Sequence, residues 1–222
     1  MNEKALLLHS YQKLAEFLAG SLGTMHHTIV YDIDEETEEG TVFAVYGDMT
    51  GRKKGDPLTP FVRVMVRNFK ESGDAGITHV DTEASTAEGR VRLSVFAIRD
   101  SRERLAGIFM IAMQVDLMYT VRDALNQYLG YDPARQETRL KAPGTFNEGS
   151  GMRFSNYMQQ RIREEIEAYG IPVDRMTNEE RIQIIHRLEQ MEVFFMKDSV
   201  KTTAELLGIS VPTVYRLMKL PG

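Results

Sequence analysis

At 222 residues and 25.3 kDa, the chain suits one ordinary domain plus a small one, and 42% hydrophobic against 27% charged residues exclude a chain too polar to fold. The balance of 27 Lys and Arg against 32 Asp and Glu, net −5, excludes a molecule-wide basic field, so any contact with nucleic acid must be local. The absence of cysteine excludes disulfides, thiolate zinc sites, iron–sulfur clusters and a thiol nucleophile together. None of the five histidines falls in an H-x-x-x-H pair. The longest uncharged apolar run, Leu105 to Val115, is 11 residues, well short of the ~20 that cross a bilayer as a helix. Glu3 and Lys4 precede only a brief apolar run, unlike a signal sequence, so a cytoplasmic location with no membrane partner is expected.

Leu7, Tyr11, Leu14 and Leu18 recur at helical spacing ahead of Gly20 and Gly23 and predict an opening helix. Residues 25–33 and 40–46 are β-branched and aromatic, predicting a hairpin whose tip is the acidic run Asp32 to Glu39. That run lacks the alternation and glycine of a calcium loop and is expected to be solvated. Asp56-Pro57 and Thr59-Pro60 each offer a cap followed by a first-turn proline, with a helix continuing through Phe61 to Phe69. From Ile77 the period becomes two; Val91, Leu93, Val95 and Ala97 share a buried face. Leu105 to Val115 is apolar on both faces, as a central strand should be, and the short charged turn from Arg99 to Arg104 makes the pair an antiparallel hairpin. Helix, two strands, helix, three strands predict an α+β fold with helices against one face of an antiparallel sheet. Leu117, Val121, Ala124, Leu125 and Tyr128 predict a further helix on the far side of that sheet.

Residues 131–153, with two prolines, several glycines and no period, are the expected linker between a domain at 1–130 and an all-α domain at 154–222. In the second domain, Met158, Ile162, Ile166 and Tyr169 mark a helix ending at Gly170, and Thr177 to Glu180 is a capping box. Its last segment, VKTTAELLGISVPTVYRLMK at 200–219, has what a helix-turn-helix needs. Ala204 is the small residue where the helices meet, Gly208 tolerates a turn with positive φ, Ile209 plugs the core, and Val214 and Leu217 seat the second helix. Ser210 caps that helix and Pro212 lies in its first turn. Ser210, Val211, Pro212, Tyr215, Arg216 and Lys219 are then left facing outward, the expected contacts to double-stranded DNA. Residues 200–222 carry three basic and one acidic side chain, which suits that role. Two helices joined at a glycine also occur as plain packing units, so an adaptor or oligomerisation role for the same helices stays open.

The run Thr50-Gly51-Arg52-Lys53-Lys54-Gly55-Asp56-Pro57-Leu58-Thr59, the strands within Ser94 to Asp116 and the terminal Thr213-Val214-Tyr215-Arg216 together resemble the YheO-like PAS regulators with a C-terminal helix-turn-helix. The resemblance implies a PAS-like antiparallel sheet with flanking helices, a DNA-binding tail, and transcriptional regulation as a homodimer. The chain departs from the family in two places: Val30-Tyr31 stands where a Leu-His pair is usual, and Ser210-Val211 where Ser-Arg or Ser-Lys often opens the recognition helix.

Other signals are weaker. Gly47 to Gly55 resembles a phosphate cradle but fails the P-loop spacing and is expected to be a turn, with gating of an effector pocket as the alternative. His26 and His27 point to opposite faces of a strand and cannot chelate one metal as a local pair. Met110, Met113 and Met118 are expected in the core, with an adaptable cavity as the alternative. Candidate ligand-binding residues are His27, Tyr31 and Arg52. No nucleophile elbow, HExxH or dinucleotide fingerprint is present, so neither catalytic residues, nor a metal, nor a cofactor is expected. The function expected is a DNA-binding regulator that senses a small-molecule effector or a partner.

Overall fold

The structure is a computed structural model that describes residues 2–47, 51–81, 90–129, 148–196 and 198–220. Among these residues five strands form one antiparallel sheet in the order β2-β1-β5-β4-β3. They are β1 (His26–Asp34), β2 (Glu39–Tyr46), β3 (Gly76–Asp81), β4 (Val91–Arg99) and β5 (Leu105–Gln114). The doubly apolar segment, β5, takes the centre between β1 and β4, since only a strand covered on both faces can bury both sets of side chains.

The β1–β2 hairpin turns at Asp34, whose carboxylate accepts the backbone N–H groups of Glu36 (2.9 Å) and Thr37 (3.2 Å). The acidic tip is not simply solvated. Glu38 pairs with Arg67 and Lys70, and Glu39 with Arg63, all three cations lying on helix α2 (Pro60–Ser72). Thr59 caps α2 by accepting the Val62 N–H, and Pro60 fills its first turn. Of the two Pro-led starts, then, only the second begins a helix. Pro57 instead forms an isolated bridge to Thr41, and the Asp56 carboxylate accepts the Lys53 N–H, which closes the glycine-rich turn.

Helices lie on both faces of the sheet, which corrects the one-face expectation. Helix α1 (Glu3–Leu22) places Leu8 and Ala15 on the outer face against Val30, Ala44, Ile98 and Phe109. A Cβ at Gly107 would meet the Tyr31 carbonyl oxygen at 2.6 Å and Leu8 at 2.8 Å, so glycine there permits α1 to approach β5. Helix α2 covers part of the inner face, packing Phe61, Val62, Met65 and Phe69 with Ile29, Leu93, Val95 and Ile108.

Helix α3 (Asp116–Tyr128) is present as expected, but it buries none of its residues. The Tyr119 hydroxyl anchors its first turns by donating to Asp81 (2.9 Å) and accepting from Arg92 (3.2 Å), while Arg92 grips Asp81 with two N–H groups. Leu117, Val121, Leu125 and Tyr128 remain exposed instead of packing on the sheet. The periodicity correctly marked a helix and an apolar face; periodicity alone does not say what covers that face.

Most of the expected linker lies outside the described residues, and helix α4 (Glu148–Ala168) begins within its last part. Helices α5 (Asn178–Gln190), α6 (Ser199–Leu206) and α7 (Val211–Met218) follow, with the Thr177 capping box closed at both ends. Phe154, Ile162, Ile184, Leu188, Leu207 and Val214 form the centre of this bundle. Its core is continuous with the inner face of the sheet. Phe61 of α2 makes an edge contact with Phe154 of α4 (6.2 Å between ring centres) and a tilted one with Phe195 (5.0 Å), in the 3-10 turn Val193–Phe195.

Candidate functional site

The C-terminal helix pair turns at Gly208, whose φ is 62°. The Ile209 N–H bonds the Ala204 carbonyl (3.0 Å) and the Gly208 N–H the Glu205 carbonyl (3.3 Å), the paired bonds that close a helix around a left-handed glycine. Ala204 is buried in the contact, and Val214 and Leu217 are buried beneath α7. Ser210 Oγ accepts the Thr213 N–H (3.3 Å) and shares a hydrogen bond with its hydroxyl (2.8 Å). Ser210, Pro212, Tyr215, Arg216 and Lys219 are exposed. Val211 is half-buried against the core, so its side chain is less available than its place at the start of the helix suggests. Among the described residues neither Arg216 nor Lys219 is held in an ion pair. Seated apolar residues and free cations thus occupy opposite sides of α7, as a helix entering a groove of DNA requires.

A second feature lies under the inner face of the sheet. A cavity of about 290 Å³ is walled by Ile29, Leu93 and Met110 of the strands, by Phe61 of α2, and by Arg52 and Tyr31. Two of the expected ligand-binding residues therefore meet there. His27 does not line it: it is buried on the same face of β1, beside Gly47, where a Cβ would lie 3.0 Å from its Nδ1. Burial pushes the Tyr31 phenol up to about 12; the Arg52 charge opposes the shift and the Glu192 charge adds to it. The hydroxyl therefore keeps its proton at neutral pH and remains a hydrogen-bond donor. Met110 joins the cavity wall, Met113 is half-buried and Met118 is exposed, so the three methionines share no common environment.

Sequence patterning missed two wall residues, Glu192 and Phe195, which come from the helical domain. Neither belongs to a helical or strand period, and only the fold brings them to the sheet. Glu192 Oε2 accepts the Phe61 N–H at 3.0 Å, engaging one of the unpaired donors at the positive end of α2. Glu192 itself has φ 53°, a conformation uncommon outside glycine, asparagine and aspartate. Among the described residues no group of three His, Asp or Glu side chains is placed to hold a metal ion, and no helix is long and apolar enough to cross a membrane.

Comparison with known proteins places both halves. Residues 1–130 match the YheO-like PAS domain, more than half of the chain. The chain belongs to that family. Residues 157–219 match a helix-turn-helix domain, the segment in which α6, Gly208 and α7 lie. Similar along almost their whole length are an uncharacterised protein of Haemophilus influenzae, 24% identical over 218 residues covering 96% of this chain and 90% of the relative, and YheO of Escherichia coli K12, 23% identical over 213 residues covering 94% and 82%. YheO of Shigella flexneri matches to the same extent. This member of the YheO-like PAS family thus combines a PAS-like sheet with a DNA-binding type of helix pair, and no helix among its described residues is a membrane span.

Proposed function

We propose that the protein is a transcription regulator whose C-terminal helices bind operator DNA and whose PAS-like domain senses a small-molecule effector. The observation that carries it is α7: a helix seated by Val214 and Leu217 and capped by Ser210 that presents Tyr215, Arg216 and Lys219 to solvent. Arg216 is suited to a bidentate guanine contact or a phosphate clamp, Lys219 to a phosphate, and Tyr215 to either through its hydroxyl. Ser210 and Pro212, both exposed, bring the start of the helix to the groove. Because the chain as a whole is acidic, these few cations carry the DNA contact, and the protein works where its DNA is, in the cytoplasm.

The exposed apolar face of α3 supports assembly as a homodimer. Leu117 is 60% and Leu125 54% exposed on it, a patch that water disfavours. To read two half-sites in successive major grooves, such a dimer has to hold its recognition helices about 34 Å apart.

The test is retention on fragmented genomic DNA from a bacterium carrying the gene, followed across a salt titration with the full-length protein. Selective retention with a steep salt slope is expected, and Arg216→Ala should weaken it by roughly tenfold or more and flatten the slope by about one phosphate contact. Retention that ignores sequence, or that Arg216→Ala leaves unchanged, would overturn the assignment and favour an adaptor role for the helices.

A further inference from the structure

The cavity below the sheet has a definite chemical sidedness. Most of its wall is apolar: Ile29, Leu93 and Met110, closed by Phe61 and Phe195. Its polar end holds Arg52, Tyr31 and Glu192. Of these, the acceptor is engaged, and the donors keep N–H and O–H groups to spare. The Glu192 carboxylate takes the Phe61 N–H. Arg52 gives one guanidinium N–H to the Pro57 carbonyl (2.8 Å) and has no ion-pair partner among the described residues. The Tyr31 hydroxyl, on a side chain only 2% exposed, has no hydrogen-bond partner among the described residues. The hydroxyl opens onto the cavity, where a ligand oxygen can take the hydrogen bond that no group among the described residues takes. The complement of an arginine fork and a phenolic donor is an anionic oxygen pair, and a volume at the small end of ligand pockets limits the rest of the occupant.

We infer that this cavity binds a small monocarboxylate with an apolar body, its carboxylate held by Arg52 and Tyr31 and its body lying against Met110, Leu93 and Phe195. This deepens the proposed sensing role and rests on it, but it adds that the site is shared: Glu192 and Phe195 belong to the domain that carries α7. A bound carboxylate brings a second negative charge into the chamber that holds Glu192. Like-charge repulsion then weakens the hold of Glu192 on the first turn of α2, and the body of the ligand bears on Phe195, so occupancy acts on the join between the two domains without an intermediary.

The experiment is calorimetric titration of the full-length protein with phenylacetate, benzoate and hexanoate, each paired with its neutral amide, and with benzylamine. At least one carboxylate should bind, at least tenfold more tightly than its amide. Arg52→Gln should weaken the carboxylate roughly ten- to hundredfold while leaving the amide unchanged, and Tyr31→Phe, which keeps the ring in place, should weaken it by a smaller factor. Glu192→Gln should tighten it severalfold, a change of sign that a merely structural role would not produce. Thermal melts of each variant establish that it is folded, and Tyr31→Phe decides the matter should Arg52→Gln fail to fold. No binding by any carboxylate, equal binding of acid and amide, or preference for benzylamine would overturn the inference. Arg216→Ala should leave these affinities unaltered. Carboxylate binding without DNA retention therefore marks failure of the regulator assignment alone, and DNA retention without carboxylate binding marks failure of the ligand class alone.

Discussion

Truncating Phe61 to alanine tests whether the two domains share one core. Phe61 is 4% exposed and touches Phe154 and Phe195, one on each of two segments of the helical domain. Removing a buried phenylalanine costs about 3–5 kcal/mol through lost transfer and the residual cavity, of which each ring contact supplies about 0.5–1.5 kcal/mol. Because both partner rings lie across the domain junction, the loss falls on the junction as well as on the sheet. Wild type should unfold in one transition, and Phe61→Ala should unfold in two, with the midpoint of the helical domain below that of the sheet. Phe61→Leu, which preserves most of the volume, should cost less than half as much and keep a single transition. The assay is differential scanning calorimetry of all three proteins beside urea titrations followed by circular dichroism. A single unchanged transition in Phe61→Ala, with a loss under about 1 kcal/mol, would refute the idea of a common core.

Two further outcomes follow from the same geometry. Ser210→Ala removes the acceptor for the Thr213 N–H at the start of α7 and should lower stability by about 1 kcal/mol, measured by urea denaturation, while weakening DNA retention more than an equally destabilising core change such as Leu188→Val. The Tyr31 phenol is raised from 10.0 to about 12; an acid whose folded pKa lies above its unfolded one contributes stability in full below pH 10 and loses it as pH rises from 10 toward 12. Tyr31→Phe should therefore flatten the decline of stability over that alkaline window, and an unchanged slope would show that the phenol is solvated.

Legibility in the sequence varied with the range of the physics involved. The helix-turn-helix could be read because its requirements are local: a left-handed residue at Gly208, a cap at Ser210, and inward Val214 and Leu217 at helical spacing. The hairpin strands and the central place of β5 followed from alternation and from apolar residues on two faces. What was not legible depended on contacts between elements distant in the chain. The apolar stripe of α3 signals a helix equally well whether or not anything covers it, so its exposure needed the fold. Tyr31 and Arg52 could be picked out as candidates, yet Glu192 lies more than a hundred residues further on, in a segment with no period, and its bond to the Phe61 N–H spans 131 positions. Val211 illustrates the reverse limit: its position at the start of α7 suggests an outward side chain, while packing against the core holds it half-buried.

The shared cavity also constrains how regulation can work. An effector changes DNA affinity only to the extent that it binds the DNA-competent and incompetent arrangements unequally. By linkage, DNA must then change effector affinity by the same factor. In a two-domain protein whose pocket is confined to the sensor, that inequality has to be transmitted through the linker. With the ligand inferred above, the wall itself would supply it: a molecule touching Phe195 and facing Glu192, both cavity-lining residues of the helical domain, would distinguish a docked helical domain from an undocked one by direct contact. Coupling should therefore vanish when the junction is loosened at Phe154, which packs on Phe61 without lining the cavity, even in a protein that still binds each partner separately, whereas changes confined to the linker should leave most of it intact.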